Sequence, residues 1–435
     1  MKSFLALTLL ACAAFPANQA LRAQQVPGAT ELPDHPYSIR KTLVIGGAGN
    51  WDYLTADPAA RRLYIAHSTQ VQVVDIDAGA VTGQVTGLHN ARAIALDDTG
   101  EFGYISDATD NQVKVFDRRS LQVVAAIATG PGPRALVFEP QTKLLFAICT
   151  TPIADPPRTP NSPPARENEI KTSVTVIDAE TREPIAEIFM PGRVGSAQAD
   201  GNGQVFVNID NRNQVARIDA QSIAAYLRGH SATAPASNPL ASNPVVSNPV
   251  ASSPVPPPTT SPAKPSESTH IFDWSHESHL PNSAQSSMAI FPLGPDCTNP
   301  SALAVDGKHG RLFAACTNMK LVVLNASNGE VVTSLNTGPG TEAVAYDPDR
   351  GLIYAANGGA QGTLTIIHQD VTDTHAVIQN LATRQRARTL AVDASTGQVF
   401  LVTDLLGVDL TQPGKIGSLK PTSANGSFQV LVVAN

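Results

Sequence analysis

A short apolar segment with an aromatic residue near its centre recurs seven times along the chain. Four of the six intervals between these aromatic residues are 40 to 46 residues long, which is typical of a repeat built from four β-strands. The two longer intervals each contain a Pro-rich segment, residues 152–169 and 228–285. The seven aromatic residues are Tyr64, Tyr104, Phe146, Phe206, Phe313, Tyr354 and Phe400.

Each repeat unit has the pattern of four short strands. In the second unit, a small apolar strand at residues 93–98 precedes the aromatic strand, and residues 113–117 form a third strand that ends in Asp. The fourth strand ends near Gly130, which supplies the backbone freedom for the crossing to the next unit. Seven such units predict an all-β fold, a seven-bladed β-propeller.

The last unit lacks an outer strand. Residues 389–393, 398–404 and 428–434 supply three strands, and the sequence then ends. Residues 41–47 form a spare strand before the first unit, and their pairing with the last blade closes the ring. Closure removes two exposed sheet edges that would otherwise promote aggregation.

The propeller is predicted to span residues 38–435, after a signal peptide at 1–23 and an N-terminal extension at 24–37. The signal has a basic start at Lys2, an apolar stretch and small residues at Ala20 and Ala23. We therefore expect a periplasmic or secreted protein, and we expect a monomer. A lipoprotein cleavage at Cys12 is the alternative. No stretch approaches the roughly 20 apolar residues of a membrane span.

The two Pro-rich segments are predicted to be disordered insertions, because they contain little apolar surface to offset the entropy of ordering. The second contains His270, His276 and His279, which could bind a metal ion. Histidines in a polar segment are more often solvated, and zinc sites use three or four ligands, so no metal site is predicted.

The charge balance favours partners other than nucleic acid. The chain has 37 acidic and 30 basic residues, for a net charge of −7. No basic run with interleaved aromatic residues occurs apart from the short cluster of Arg384, Arg386 and Arg388.

The segments WDYLTADPAARRLYIAH (51–67) and VVDIDAG (73–79), followed by repeated VxVxD units, resemble the YVTN-repeat, YncE-like β-propeller family. The resemblance covers nearly all of the chain after the signal peptide except the two insertions. It implies an exported seven-bladed propeller. It implies no single chemistry, because a propeller is a scaffold that serves many functions.

The sequence contains no C-x-x-C-H haem motif and no G-x-S-x-G nucleophile motif. We therefore predict no cofactor and favour a binding scaffold without chemistry of its own, with an unknown protein, peptide or small molecule as its ligand. The alternative is a hydrolase at the channel mouth, such as a lactonase, with or without a metal ion.

The cysteines outside the signal are Cys149, Cys297 and Cys316. Cys297 and Cys316 flank one β-hairpin, whose turn falls near residues 307–310. Pairing about that turn places Cys316 opposite Ser301, close enough to Cys297 for a disulfide. Two buried thiols are the alternative. Cys149 is predicted to be a buried free thiol.

Polar residues are concentrated at one end of the predicted strands. The loops that enter inner strands and leave aromatic strands meet on one face around the channel of a propeller, so we expect the ligand there. His67 and His89 are predicted to be neighbours, and His67, His89, Arg134, Glu342 and Arg388 form the predicted centre. The full set is Asp52, His67, His89, Arg92, Asp107, Arg134, Asn208, Glu342, Asn357, Arg388 and Asp404.

Overall fold

The structure is a computed structural model that describes residues 36–47, 50–150, 172–231, 288–370, 373–407, 422–423 and 426–435. Seven antiparallel sheets of four strands account for nearly all strands in these ranges. The first strands of successive sheets contact one another, and the first strand of the seventh sheet contacts that of the first. The sheets are therefore seven blades around a channel, as predicted.

Blades 1 to 4 follow the chain from inner to outer strand. Blade 1 contains β2 (Trp51–Asp57), β3 (Arg62–His67), β4 (Gln70–Asp75) and β5 (Ala80–Val85). Blade 2 contains β6 (Ala91–Leu96), β7 (Phe102–Asp107), β8 (Gln112–Asp117) and β9 (Val123–Ala128). Blade 3 contains β10 (Pro133–Glu139), β11 (Leu144–Thr150), β12 (Thr172–Asp178) and β13 (Glu183–Phe189). Blade 4 contains β14 (Val194–Ala199), β15 (Gln204–Ile209), β16 (Gln214–Asp219) and β17 (Met288–Pro292).

The remaining three blades include the one that joins the two ends of the chain. Blade 5 contains β18 (Pro300–Asp306), β19 (Arg311–Cys316), β20 (Lys320–Asn325) and β21 (Val331–Asn336). Blade 6 contains β22 (Thr341–Asp347), β23 (Leu352–Asn357), β24 (Thr363–Gln369) and β25 (His375–Ala382). Blade 7 contains β26 (Thr389–Asp393), β27 (Gln398–Thr403), β30 (Gln429–Ala434) and β1 (Ser38–Val44) as its outer strand.

Strand β1 closes the ring as predicted. It pairs antiparallel with β30, from Ser38 opposite Ala434 to Val44 opposite Gln429. The closing strand begins slightly earlier than the predicted residues 41–47.

The core lies between adjacent blades. The seven repeated aromatic residues are each 2% exposed or less, and they occupy the second strand of every blade. Apolar side chains of neighbouring blades surround them; for example, Phe400 of blade 7 packs in one cluster with Leu54 and Ile65 of blade 1. The aromatic repeat is therefore the repeated core residue of the fold.

Each inner strand is followed by a turn that an acidic side chain stabilises. In blade 5, Asp306 accepts hydrogen bonds from the backbone N–H groups of Lys308 and His309. Cations link some of these turns to the next blade: Arg118 of blade 2 pairs with the buried Asp57 of blade 1. The seven acidic residues are Asp57, Asp97, Glu139, Asp200, Asp306, Asp347 and Asp393. The acidic strand ends found in the sequence are thus turn-forming residues.

A helix that the sequence analysis missed follows blade 4. Helix α1 (Ala220–Ser231) begins after Asp219, whose carboxylate accepts a hydrogen bond from the backbone N–H of Ser222 at 3.0 Å. It extends into the start of the predicted second insertion. The rest of residues 228–285 lies outside the described residues, together with residues 152–169, the signal peptide at 1–23 and the three histidines of the insertion.

Blade 7 contains a further excursion that was not predicted. Two short strands, β28 (Leu406–Gly407) and β29 (Thr422–Ser423), pair between β27 and β30. The predicted third strand at 428–434 corresponds to β30.

The predicted disulfide between Cys297 and Cys316 is present, with the two Cα atoms 5.4 Å apart. A register shift between Pro300 and Ala302 places Cys316 opposite Pro300 rather than the expected Ser301. Cys149 is a buried free thiol, as predicted. Burial raises its pKa to about 12.

Among the described residues, no helix combines the length and the apolar character needed to cross a membrane.

Candidate functional site at the channel mouth

A β-bulge near the start of the inner strands sets the geometry of the channel mouth. In six of the seven blades the register between the first and second strands shifts near the first residue of the inner strand. A bulge of this kind re-aims a side chain away from the ladder. The first residues inside these shifts are Asp52, Arg92, Arg134, Gly195, Ser301 and Glu342 in blades 1 to 6, and Arg388 directly precedes the inner strand of blade 7. We call these seven residues the mouth ring.

Two ion pairs in the mouth ring join neighbouring blades. Arg92 Nη1 of blade 2 donates to Asp52 Oδ2 of blade 1 at 2.9 Å. Arg388 Nε of blade 7 lies 3.3 Å from Glu342 Oε2 of blade 6. Desolvation raises the pKa of the Asp52 carboxyl, and the hydrogen bond from Arg92 opposes this shift. Four of the predicted site residues are therefore brought together in two pairs.

The position of Gly195 is filled by the side chain of another residue. A Cβ at Gly195 would lie 2.6 Å from Asp210 Oδ1, so the Asp210 carboxylate occupies the space that this glycine leaves. Arg193 Nε lies 3.4 Å from Asp210 Oδ2. Burial raises the pKa of Asp210 to about 6, although Arg193 and Arg134 favour its charged form. The sequence analysis missed Asp210 and Arg193, because only the strand register shows that Gly195 is a ring position and that another loop fills it.

Arg134 is the remaining charge of the mouth ring. Its side chain is exposed, and it makes no hydrogen bond or ion pair with any part of the chain that the structure describes. It is near enough to Asp52 and Asp210 to lower the pKa of both carboxyls. Ser301, the neutral member of the ring besides Gly195, donates to the Thr341 carbonyl at 2.6 Å. The ring therefore retains one guanidinium that is free to bind an anion.

A cavity of about 290 Å³ lies between the inner strands. All seven blades contribute to its wall, and Glu342 of the mouth ring borders it. Its apolar lining includes Leu54, Ile94, Leu136, Ala197, Leu303, Val344 and Leu390. The mouth ring thus combines charged groups with an apolar interior.

A second cavity, of about 800 Å³, is lined by residues towards the opposite ends of the inner strands in blades 4 to 7, and it shares Gln198 and Val344 with the first cavity. Its lining includes Asp200, Lys308 and Tyr346. This opening was not part of the predicted site.

The predicted site residues at the ends of the second strands lie in the interior. Asn357 accepts from Thr341 Oγ1 at 2.6 Å and donates to Thr365 Oγ1 at 2.9 Å. Asn208 donates to Ser196 Oγ at 3.0 Å. His67, Asp107, Asn208, Asn357 and Asp404 are each 4% exposed or less. These five side chains can support the channel face, but they offer a ligand almost no surface.

His67 and His89 have different partners. His67 Nδ1 lies 2.8 Å from Gln72 Oε1, and its ring packs against Phe428 with the centroids 4.4 Å apart. The exposed His89 contacts Asp110 through Nδ1 at 2.7 Å. Of the predicted pair, only His89 is accessible from the channel face.

His89, Asp107 and Asp110 are close enough to offer three ligand atoms to one metal ion. However, both oxygens of Asp107 accept backbone hydrogen bonds, from the N–H groups of His89 and Asn90. Lys114 Nζ lies 3.0 Å from Asp110 Oδ2. These contacts show that the three side chains stabilise the loops of blade 2.

The junction of blades 7 and 1 contains several buried polar atoms without hydrogen-bond partners in the described structure. They are Trp51 Nε1, His67 Nε2, Thr389 Oγ1, Gln429 Nε2 and both carboxylate oxygens of Asp404. Arg386 Nη1 lies 3.2 Å from Asp404 Oδ2, and its guanidinium stacks 4.8 Å from the Trp51 ring. The Arg386 guanidinium therefore links blades 7 and 1 at this junction.

Solved structures of low sequence identity match the chain over most of its length. U3-55K is 9% identical with a TM-score of 0.58, covering 91% of this chain and 98% of that chain. The WD40 repeats of RRP9 are 9% identical with a TM-score of 0.59, covering 92% and 97%. This chain shares the fold of WD40-repeat propellers. A chain in the structure of the mitotic checkpoint complex is 12% identical, with a TM-score of 0.57 and coverage of 88% and 95%.

No family model matches the sequence, and no curated protein does. Membership of the YVTN-repeat, YncE-like family therefore stays a prediction from the segments at 51–67 and 73–79. The shared WD40-type propeller establishes the architecture, and the function must be inferred from the site itself.

Proposed function

We propose that this propeller is a binding scaffold without catalytic activity, and that its channel face binds a protein, peptide or small ligand. The observation that carries the proposal is the exposed, unpaired side chain of Arg134. It is the exposed charge without a described partner in a mouth ring whose other charges are paired. Arginine side chains of this kind are frequent anchors of binding interfaces.

The position of the ring supports the same function. Concave openings lined by apolar groups with a few polar groups at the rim are the usual places for ligands. The mouth ring lies at the entrance of such an opening, and the bulges that form it recur in six blades. One similar structure belongs to the mitotic checkpoint complex, so a propeller of this fold takes part in a protein assembly there.

Export to the periplasm or the medium is part of the proposal, on the basis of the signal-like residues 1–23. No specific observation in the described residues favours the alternative, a hydrolase at the channel mouth. Among the described residues, the group of side chains close enough to share a metal ion, His89, Asp107 and Asp110, is already hydrogen-bonded to backbone N–H groups and paired with Lys114.

The experiment compares charge reversals on the two ends of the channel. Three tagged proteins are used to capture partners from an extract of the source cells. They are the parent, the channel-face double variant Arg134→Glu with Arg388→Glu, and the control double variant Arg119→Glu with Lys308→Glu. Arg119 and Lys308 are exposed in turns at the opposite end, so the control changes the net charge equally.

The proposal predicts a partner that the parent and the control capture and the channel-face variant does not. Equal capture by all three proteins, or a loss in the control alone, would move the site away from the channel face. The variants should melt within a few degrees of the parent, because all four residues lie on the surface.

A further inference from the structure

We infer that the channel face recognises a peptide segment of a protein partner in which a large apolar side chain stands next to a carboxylate. This inference rests on the proposed function and names the chemistry of its ligand. Two independent features support it: the unpaired guanidinium of Arg134 and the largely apolar cavity that the next two residues of β10 line.

The charges at the mouth favour an anionic group. Arg92 is paired with Asp52, Arg388 with Glu342 and Arg193 with Asp210. After these three pairs are formed, the positive charge of Arg134 remains. Guanidinium groups bind carboxylates through two parallel hydrogen bonds, which gives geometric selectivity as well as attraction.

The cavity favours an apolar group beside that anion. Ala135 and Leu136 follow Arg134 directly in β10, and both line the cavity of about 290 Å³. This volume is at the lower end of the range of ligand pockets, so it suits one or two side chains. If one residue of a bound peptide placed its side chain in the cavity, the next residue of that peptide would therefore lie beside Arg134.

The paired charges suit a peptide as the carrier of these groups. The ion pairs Arg92–Asp52 and Arg388–Glu342 are partly exposed at the opening, on the consecutive blades 1, 2, 6 and 7. Together they present both donors and acceptors to the backbone of a peptide that extends from Arg134 across the opening. An isolated fatty acid would use Arg134 and the cavity alone.

A selection experiment tests the inference without knowledge of the partner. A displayed library of random heptapeptides is selected on the full-length protein and on Arg134→Gln, Arg134→Lys and Arg119→Gln. Arg119 is an exposed arginine in a turn at the opposite end, so its variant controls for the loss of one charge. The inference predicts that Asp or Glu next to Leu, Ile, Met or Phe is enriched on the parent and on Arg119→Gln.

The enriched peptides are then synthesised, together with versions in which Asn or Gln replaces the acid. We expect the acidic peptides to bind the parent at least about ten-fold more tightly than their amide versions. Arg134→Gln should abolish this preference, and Arg134→Lys should retain part of it. Enrichment without an acidic residue, or an acid preference that persists in Arg134→Gln, would overturn the inference.

A variant that fills the cavity separates this inference from the proposed function. Gln198 is exposed and lines both cavities, so Gln198→Trp should narrow the channel between them and block the entry of a side chain, with Gln198→Phe as a smaller second choice. If neutral peptides bind and Gln198→Trp prevents their binding, the channel face is a binding site and only the acidic ligand is wrong. If no peptide is enriched, or none depends on Arg134 or Gln198, this inference fails, and the capture experiment with the charge-reversal variants decides the proposed function.

Discussion

The backbone of Tyr37 is held by the side-chain amide of Gln379, a residue 342 positions away in the sequence. The Tyr37 N–H donates to Gln379 Oε1 at 2.9 Å, and Gln379 Nε2 donates to the Tyr37 carbonyl at 2.8 Å. The Tyr37 hydroxyl lies 2.8 Å from the hydroxyl of Tyr354, and both side chains are buried. The segment before β1 is therefore fixed to blade 6, while β1 itself belongs to blade 7.

The first prediction concerns this attachment. Tyr37→Ala should lower the free energy of unfolding by about 3–5 kcal/mol, because a buried aromatic ring and a hydrogen bond are lost. Gln379→Ala should cost about 1–3 kcal/mol, since it leaves the Tyr37 backbone groups unpaired. Urea denaturation measures both. Ile39→Ala, on an exposed position of β1, is the control and should cost less than about 1 kcal/mol. A Tyr37→Ala variant as stable as the control would show that closure does not depend on this contact.

The second prediction compares two adjacent arginines. Arg118 is buried between Asp57 and Asp97 of blades 1 and 2, whereas Arg119 is exposed. Arg118→Met should lower the free energy of unfolding by about 3–5 kcal/mol, because it leaves the Asp57 charge buried without its partner. Arg119→Met should change it by less than about 0.5 kcal/mol. Adding Asp57→Asn to Arg118→Met should recover part of the loss, and no recovery would exclude the stranded charge as its cause.

The third prediction concerns the disulfide between Cys297 and Cys316. The double variant to Ala should lower the free energy of unfolding by about 2–4 kcal/mol, because the unfolded chain is no longer constrained. Alkylation followed by peptide mapping checks the pairing. Without reductant the folded protein should label none of Cys149, Cys297 and Cys316, since Cys149 is buried and its thiol pKa is about 12. Rapid labelling of Cys297 in untreated folded protein would contradict the bond.

The fourth prediction follows from the raised pKa of Asp210. Its pKa of about 6 in the folded protein compares with about 3.9 in an unfolded chain, so folding takes up a proton between these values. The stability that Asp210 contributes below pH 4 is therefore lost as the pH rises through 6. Asp210→Asn should be more stable than the parent by about 1–3 kcal/mol at pH 7, and this difference should shrink towards pH 4.

Asp349→Asn controls for the loss of one acidic charge, because Asp349 is exposed. Its effect on stability should be small at both values of pH. A difference between Asp210→Asn and the parent that does not change between pH 4 and 7 would show that Asp210 titrates as an ordinary carboxyl.

Much of the fold follows from the sequence because every blade repeats the same burial pattern. Phe146 and Tyr354, for example, lie in different blades but fill the same kind of core position. The absence of an outer strand after the last repeat could be predicted for the same reason, because the six complete units show which strand the seventh lacks. Helix α1 and the β28–β29 excursion belong to no repeat, so the period carries no information about them.

The site was less predictable because it depends on register and on contacts between distant loops. Strand periodicity shows that Arg134 opens an inner strand, but the bulge that makes it a ring residue is a property of pairing with β11. His67 ends its strand as expected, yet Phe428, at the other end of the chain, covers it. Asp210 fills the place of Gly195 from a separate loop, which no local pattern reveals.

The pairing of Ser38 with Ala434 has a consequence for the order of folding. During synthesis β1 emerges first, and its partner β30 emerges last. Blades 1 to 6 can form from consecutive strands as they appear, but the ring cannot close until β30 is available. Blades made of neighbouring strands should form quickly, and the final pairing should be slow because it joins residues of large sequence separation. Until then β1 has no partner and the edge of the last blade is exposed, so a chain truncated near either end should aggregate rather than form an open ring.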